Sequence, residues 1–377
     1  MVIMRALLIF LACAGAIAGP VLQHRRGAFR AGAGAWLDTN YSKRIAVTVD
    51  ATQVISTLTD FPVFVRLDDL PASFFTTVQA DGDDIRASSD DHTTELAVEL
   101  VTIDTGGSTG ELHVSVPSVS SSVDTVIYLY YGYGSATAYA TPEDVFGASG
   151  AGYMHVYHLS TAANAEQINS SRSDGNTNMD ANNFESGDSV AGKVGQAVIA
   201  DGSNEYYAAP QSEAASYLRP DGSFTVSMWL KADTFGSDTY YGNQMNSTTG
   251  GISLWIWSSN LRAGYGGSGS AWTGITYPTS SMSTGTWYHV VAKSNGSTGR
   301  LIVNGVEVDS GSVGNSHSWA TYPLYLFRRE DGSGYADGTL DEIRLHDTEL
   351  AADWISAEYT NQNTPTSFYT IGTEESQ

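Results

Sequence analysis

Short runs of alternating apolar and polar residues recur from Trp36 onward, and they constrain the fold more than any other feature. Examples are Arg44–Val49 and Phe61–Leu67, and each run is bounded by Asp, Pro or Gly. Alternation with a period of two puts successive side chains on opposite faces of a strand, so each run predicts a β-strand. Gly contributes 39 of the 377 residues and charged residues only 16%, which favours strands and turns over helices. The sequence therefore predicts an all-β protein.

The strand-like runs are too numerous for one ordinary domain of about 100 to 200 residues. We predict two antiparallel β-sandwich domains, over residues 36–150 and 151–377. Helix signals are confined to Ala351–Tyr359, and a final strand is predicted at Ser367–Ile371.

The first residues have the pattern of an export signal. A basic start, Met1–Arg5, precedes an apolar stretch, Ala6–Ala18, that ends in an A-x-A site before Gly19. We expect residues 1–18 to be a signal peptide and residues 19–35 a basic, Gly/Ala-rich arm or linker. The apolar stretch is shorter than the ~20 residues that cross a bilayer, so no membrane-spanning segment is expected. The leader predicts a secreted or cell-surface protein, while an uncleaved arm would fit a virion protein.

Charge and cysteine content exclude several classes of function. The formal net charge is -23, and such a surface repels nucleic acid, whose phosphates require neutralisation by basic residues. Cys13, inside the leader, is the only cysteine, so the rest of the chain has no disulfide, thiolate metal site or cysteine nucleophile. Nucleic acid is therefore not an expected partner.

Catalytic patterns are weak. The one G-x-S-x-G match, Gly106–Gly110, lies between two predicted strands, so it is not the strand-to-helix elbow that carries a serine nucleophile. Asp341 and Glu342 are adjacent in a predicted strand, so we expect them on opposite faces, unable to flank one glycosidic bond. The odd spacing of His155 and His158 likewise predicts opposite faces and no shared metal. The sequence predicts that the protein is not an enzyme.

Calcium is the cofactor that the sequence allows, because it prefers carboxylate and carbonyl oxygens of Asp/Gly-rich loops. Two loops supply such oxygens: one contains Asp81, Asp83 and Asp84, and the other contains Glu330, Asp331, Asp337 and Asp341. Neither has a complete EF-hand spacing, and ordinary turn formation is the alternative explanation. The second loop is the predicted metal site.

Aromatic residues suggest a sugar-binding surface in the second domain. Trp255 and Trp257 alternate along one strand and should project from one face, and Tyr265, Trp272 and Tyr277 lie nearby in polar, Gly-rich sequence. Sugar rings stack on aromatic faces, so these five residues are the candidate ligand-binding set. The alternative is that several of them fill the sandwich core.

An ordered series of motifs runs through the first domain: Trp36, Tyr41–Ile45, Phe61–Val63, Asp81–Arg86, Val116–Ser118 and Ile127–Gly132. The series resembles a domain of unknown function that commonly precedes jelly rolls in bacterial and archaeal surface proteins. This resemblance implies a fold and a setting, without an activity.

A second series runs through the other domain: Phe224–Trp229, Gly285–Ala292, Leu301–Gly305, Gly338–Leu345, Asp353–Ile355, Ala357–Tyr359 and Asn361–Asn363. It resembles the laminin-G-like jelly roll of the concanavalin A-like superfamily. The resemblance implies recognition of a glycan, a protein or calcium, or an architectural role.

Two functions remain open from the sequence. The first is a non-catalytic extracellular binding protein whose partner is a glycan or another cell-surface polymer. The second is a virion structural protein that decorates a head or tail, contacts other virion or surface-layer subunits and binds the host surface.

Overall fold

The alternating runs form antiparallel strands, which confirms the all-β prediction. The computed structural model describes residues 35–147, 152–171, 177–209, 223–243, 251–266, 273–313 and 323–377. The predicted signal peptide and almost all of the predicted arm lie outside these residues. In the first strand, β1 (Lys43–Val49), Ile45, Val47 and Val49 are buried while Ala46 and Thr48 are partly exposed, as the alternation predicts.

The first sandwich is built from β1 and six further strands: β2 (Leu58–Arg66), β3 (Arg86–Ser89), β4 (Glu95–Leu96), β5 (Val98–Asp104), β6 (Thr109–Val119) and β7 (Thr125–Tyr131). A short helix, α1 (Ala72–Thr77), lies between β2 and β3. One sheet has the order β1-β7-β3-β4 and the other β2-β6-β5, so β2 is an edge strand.

The second sandwich is built from fifteen described strands: β8 (Tyr153–Tyr157), β9 (Asp180–Asn182), β10 (Ser189–Ala191), β11 (Gln196–Asp201), β12 (Tyr206–Ala208), β13 (Ser223–Ala232), β14 (Thr239–Asn243), β15 (Gly251–Trp257), β16 (Asn260–Gly266), β17 (Thr273–Pro278), β18 (Tyr288–Asn295), β19 (Thr298–Val303), β20 (Val306–Ser312), β21 (Tyr325–Leu326) and β22 (Asp337–His346). An eight-stranded sheet has the order β10-β11-β22-β13-β18-β19-β20, with β8 also paired to β22. A seven-stranded sheet has the order β17-β16-β15-β14-β21-β12-β9. This arrangement fits the predicted concanavalin-like jelly roll.

The C-terminal segment returns to the first sandwich. The predicted helix forms as α2 (Ala352–Asn363) and is followed by α3 (Pro365–Phe368). The predicted final strand forms as β23 (Tyr369–Ile371), and both β23 and β24 (Glu375–Ser376) pair with β1. The chain thus supplies strands to the first sandwich at both of its described ends, and the domain limits 36–150 and 151–377 stay a prediction.

The eight-stranded sheet is covered on both faces. In β18, Val290 and Ala292 belong to the core of the second sandwich, whereas Val291, between them, belongs to the core of the first together with Ile302 of β19. Alternate residues of one strand therefore face different cores. Residues 36–377 accordingly form one compact unit.

Within the described residues, no helix is both long enough and apolar enough to cross a membrane.

Candidate functional site

The outer face of the seven-stranded sheet carries a groove rich in aromatic residues. Leu254 and Ile256 of β15 point into the core of the second sandwich. Trp255 and Trp257 alternate with them and therefore lie on the opposite face, as predicted. Both tryptophans line a cavity of about 490 Å³, whose other lining residues are Asp238, Tyr240, Arg262, Gly274 and Arg329.

Trp257 is the exposed element of the groove, with 47% of its surface accessible. The guanidinium carbon of Arg262 lies 4.4 Å from the centre of the Trp257 ring, and Arg262 Nε donates to the Trp257 carbonyl oxygen at 3.3 Å. Gly274 on the adjacent strand keeps this region open, because a Cβ atom there would lie 3.3 Å from Nη1 of Arg262. The groove thus combines an accessible indole with a cationic hydrogen-bond donor.

Tyr240 faces the groove because it pairs directly with Trp255 on the neighbouring strand. The register of β14 against β15 shifts between Tyr240 and Gly242, so the adjacent Tyr241 remains in the core. Tyr240 and Trp255 stack in parallel, with ring centres 5.9 Å apart and an interplanar angle of 5°. Burial, more than any other cause, raises the pKa of Tyr240 to about 12, so its hydroxyl is a neutral donor at pH 7.

A second group of stacked side chains lies on the same face of the sheet. The guanidinium carbon of Arg328 is 3.6 Å from the ring centre of Tyr206 and 4.3 Å from that of Tyr325. Tyr207 and Leu326, their strand neighbours, point into the core. Aromatic and arginine side chains therefore recur across this face, from β15 to β12.

Two of the remaining aromatic candidates, Tyr265 and Tyr277, do not join the groove. Tyr265 pairs with Ile252 and shares its inward direction, so the prediction that it binds ligand from this face was wrong. It is buried in the core, and its hydroxyl donates to the carbonyl oxygens of Arg300 at 2.6 Å and Lys293 at 3.2 Å. Tyr277 packs against the same core. Trp272 lies outside the described residues.

The four acids of the predicted calcium loop have different surroundings. Asp331 accepts hydrogen bonds from Ser333, whose hydroxyl is the main cause that lowers the Asp331 pKa. Glu330 lies 3.6 Å from Nε of Arg329, and Asp337 begins strand β22. Calcium binding by this segment stays a prediction.

Asp341, the fourth acid, is fully buried and its Oδ2 accepts from the backbone amides of Lys193 at 2.7 Å and Val194 at 2.9 Å. These two hydrogen bonds hold the turn at residues 193 and 194. Oδ2 of Asp341 therefore faces this buried turn. Asp84, in the first domain, has a comparable role, because its buried carboxylate accepts from Gln79, Gly132 and Tyr133 backbone amides.

Asp341 and Glu342 share one face of β22, so the prediction of opposite faces was wrong. The register of β22 against β13 shifts between the pairs Arg344–Ser227 and Asp341–Trp229, and Glu342 has a φ of 51°. This β-bulge inserts one residue, which turns both acids away from the core that contains Leu340 and Ile343. Both carboxyl groups are buried, so neither can reach a polysaccharide.

The bulge brings Glu342 into a buried cluster between the two sandwiches. Glu111 and His113 of β6, His158 after β8, and Glu342 each offer one ligand atom, and these four atoms lie within 4.8 Å of one another. Oε1 of Glu111 is 2.9 Å from Nε2 of His113 and 3.2 Å from Nδ1 of His158. Nδ1 of His158 also contacts Oε1 of Glu342. Nitrogen and carboxylate oxygen are the donors that zinc and similar ions bind.

Charge couples this cluster to its neighbours. Burial works against the charge of Glu342, but His158 and Arg344 lower its pKa below the ordinary range. Burial and the charge of Glu342 raise the pKa of Asp341 well above its usual value. Arg344 joins Glu342 to Glu358 of α2, with Nη1 3.2 Å from Oε2 of Glu358. The interface between the sandwiches is therefore a connected network of buried charges.

Sequence reasoning missed Glu111 and His113, although their spacing carries a signal. In a strand, residues two apart lie on one face, so E-x-H predicts that both side chains point the same way. The sequence does not show which residues lie opposite Glu111 and His113, because Glu342 and His158 approach them only when the two sandwiches pack together. His155, by contrast, contacts Asn169 at 3.0 Å and stays outside the cluster, as its spacing from His158 predicts.

Comparison with known families confirms both resemblances. Residues 201–356 match a laminin-G family model described as the concanavalin A-like lectin/glucanases superfamily, and residues 81–151 match a domain of unknown function, DUF2341. No curated protein matches the chain.

Solved structures resemble about half of the chain. One is domain 4 of AbnA, an extracellular arabinanase from Geobacillus stearothermophilus, in complex with arabinotriose, with 20% identity and a TM-score of 0.44 over 54% of this chain and 97% of that one. Another is the binding domain of botulinum neurotoxin DC in complex with SialylT, with 12% identity and a TM-score of 0.46 over 56% of this chain and 52% of that one. A third is the binding domain of Paraclostridial mosquitocidal protein 1, with 15% identity and a TM-score of 0.43 over 55% and 52% of the two chains. The chain thus spans about half the length of the two toxin domains.

Proposed function

We propose that this protein, whose residues 201–356 match the concanavalin A-like superfamily, is a non-catalytic, extracellular glycan-binding protein. Its binding surface is the groove lined by Tyr240, Trp255, Trp257 and Arg262. The observation that carries the proposal is Trp257, a large indole left 47% exposed in a groove that also contains charged donors and acceptors.

The chemistry of the groove suits a sugar. An exposed indole offers a flat apolar surface to the C–H face of a pyranose, while Asp238 and Arg329 can bind the hydroxyl groups at its edge. A single exposed apolar side chain is common on protein surfaces, but Trp257 shares its groove with Tyr240 and Trp255, and an aromatic patch with a polar rim is typical of a binding surface. A groove of this kind supports weak recognition of single sugars and multivalent attachment to a polymer.

The arginine side chains favour glycans that carry carboxylates. Arg262 and Arg329 line the groove of a protein whose net charge is -23; Arg329 lies within 3.6 Å of Glu330 and Asp331, whereas Arg262 has no ion pair within the described residues and is the cation open to a ligand. A guanidinium binds a carboxylate through two parallel hydrogen bonds, which a neutral hydroxyl cannot match. Uronic acids and sialic acids are therefore the preferred sugars, and the second stack at Arg328 would extend the contact along a chain.

The test is binding of the full chain to an array of bacterial, algal and animal glycans, with neutral and acidic members. Trp257→Ala should lose the array signal while its melting temperature stays close to that of the wild type, because the ring is half exposed. Trp287→Ala is the matched control: Lys231 lies 5.1 Å from that ring, and Trp287 is not part of the groove. It should retain the signal.

Two results would contradict the proposal. A folded wild-type chain that binds nothing on the array would exclude glycan binding by this groove. Equal loss of signal in Trp257→Ala and Trp287→Ala would place the binding surface elsewhere. Arg262→Ala, by contrast, should lose binding to acidic glycans and keep binding to neutral ones. That result would assign carboxylate recognition to Arg262 and ring stacking to Trp257.

A further inference from the structure

The buried cluster of Glu111, His113, His158 and Glu342 has the composition and spacing of a metal site. Nδ1 of His158 is in direct contact with Oε1 of Glu342, two further pairs of ligand atoms are 2.9 and 3.2 Å apart, and all four atoms lie within 4.8 Å of one another. Ligands bound at about 2.0 to 2.2 Å around a tetrahedral ion stand roughly 3 to 4 Å apart, so small side-chain shifts suffice to centre an ion.

The side chains of the cluster are incompletely hydrogen-bonded: Nε2 of His158, Oε2 of Glu111 and Nδ1 of His113, each the atom that points away from the four close ligand atoms, are buried without a partner among the described residues, as is Oε2 of the neighbouring Glu99. Buried polar atoms without partners are rare, since each has lost its hydrogen bonds to water and gained none within the protein. The buried carboxylates also exceed the fixed positive charge, because Glu342 and Glu358 share the single guanidinium of Arg344, while Glu111 contacts only His113 and His158 among the described ion pairs. A dication would offset this excess.

We propose that this cluster binds one divalent transition-metal ion of the zinc class, which joins the first sandwich to the second. The ligand atoms are Nε2 of His113, Nδ1 of His158, Oε1 of Glu111 and Oε1 of Glu342. Two carboxylates and two neutral imidazoles carry a charge of about -2, which a dication neutralises.

The donor set selects the class of ion. Calcium and magnesium prefer oxygen ligands throughout, whereas imidazole nitrogen suits zinc, iron, cobalt and nickel. Four protein ligands complete a tetrahedral shell, and a closed shell is typical of a structural site. The site is distinct from the predicted calcium loop, which lacks histidine.

The surroundings also support two of the ligands. Nη2 of Arg344 holds Oε2 of Glu342, which leaves Oε1 for the ion. Oε2 of Glu99 lies 3.6 Å from Nε2 of His158, on the opposite side of the ring from the ligand atom. Carboxylate partners of this kind orient metal-bound histidines. Glu99 and His158 also line a cavity of about 160 Å³ at the surface, which gives an ion a route to the cluster.

The test uses the full, untagged chain, refolded from denaturant with zinc or with cobalt. Elemental analysis should find one zinc ion per chain after gel filtration. The cobalt form should show the intense visible absorption of a four-coordinate ion. His158→Gln should lose both signals. The matched control, His155→Gln, removes a buried histidine that lies three residues before His158 and outside the cluster, and it should retain both signals.

Two further variants keep the proposal testable if His158→Gln does not fold. His113→Cys should add a sulfur-to-cobalt charge-transfer band, which arises only if residue 113 is a ligand. Glu99→Gln should weaken zinc affinity roughly 10- to 100-fold without removing the ion, as loss of an outer carboxylate does. A folded wild-type chain that retains no zinc or cobalt would overturn the proposal and leave a buried ion-pair network. So would a cobalt spectrum unchanged in His113→Cys.

Discussion

Asn361 of α2 is the residue whose loss should weaken the junction between the sandwiches most clearly. Its side-chain amide docks on the free edge of β2: Oδ1 accepts from the Phe64 amide at 2.8 Å and Nδ2 donates to the Phe64 carbonyl at 2.9 Å. Asn361 thus replaces the neighbouring strand that an edge strand lacks. Only 1% of Asn361 is exposed, so water does not have ready access to either group.

The cost of Asn361→Ala follows from these two bonds. The substitution leaves the N–H and the C=O of Phe64 buried without partners, and each such group costs about 1 to 3 kcal/mol. We therefore expect a loss of about 2 to 6 kcal/mol in the free energy of unfolding. Asn363→Ala is the control, because that side chain is only partly buried and its amide donates a single 3.3 Å bond to Tyr359. Its cost should stay below about 1 kcal/mol.

The assay is urea unfolding of both variants, followed by tryptophan fluorescence and by circular dichroism. Partial separation of two transitions in Asn361→Ala would show that the sandwiches unfold independently once the junction is weakened. A loss equal to that of Asn363→Ala would refute the reasoning, since it would mean that water satisfies Phe64 in the variant.

Two other predictions concern charge. Burial alone would raise the pKa of the Glu358 carboxyl. Arg344 and His289 have a larger opposite effect, and the pKa is about 2, below its ordinary value of 4.5. Stability from this charge should therefore be complete above about pH 4.5 and lost as the pH falls towards 2, and urea midpoints across this range should change less in Glu358→Gln than in the wild type. For the predicted calcium segment, millimolar calcium should raise the melting temperature of the wild type, and Asp331→Ala should abolish the rise; an equal rise in both would exclude this segment.

The strand pattern could be predicted because alternation is a local property. Trp255 and Trp257 were placed on one face by their spacing alone, and the structure confirms it. Tyr265 was misplaced because its direction depends on the register of β16 against β15, where it pairs with the inward-facing Ile252. Register between strands is set by packing and turn geometry, which period-two reasoning does not contain.

The bulges explain the other errors. An inserted residue reverses the direction of every side chain beyond it, and the sequence around Glu342 reads as an unbroken strand. Alternation therefore predicted that Asp341 and Glu342 diverge, while the structure places both beneath the first sandwich. The cluster with Glu111 and His113 was beyond reach for a related reason, since its members meet only after both sandwiches have formed and packed.

The two sheets of the second sandwich carry the two proposed sites, and they differ in what their side chains face: solvent on one sheet and the first sandwich on the other. Its seven-stranded sheet presents the groove, where an exposed ring costs little stability. Its eight-stranded sheet presents buried charges to the first sandwich, and buried charges destabilise a junction unless each has a partner. A metal ion bound by Glu111 and His113 would balance the carboxylate charge that Arg344 does not pair with. Because its ligands come from both sandwiches, it would also fix their relative orientation. Force applied through a polymer in the groove would then pass to the first sandwich through metal–ligand bonds as well as through apolar contacts.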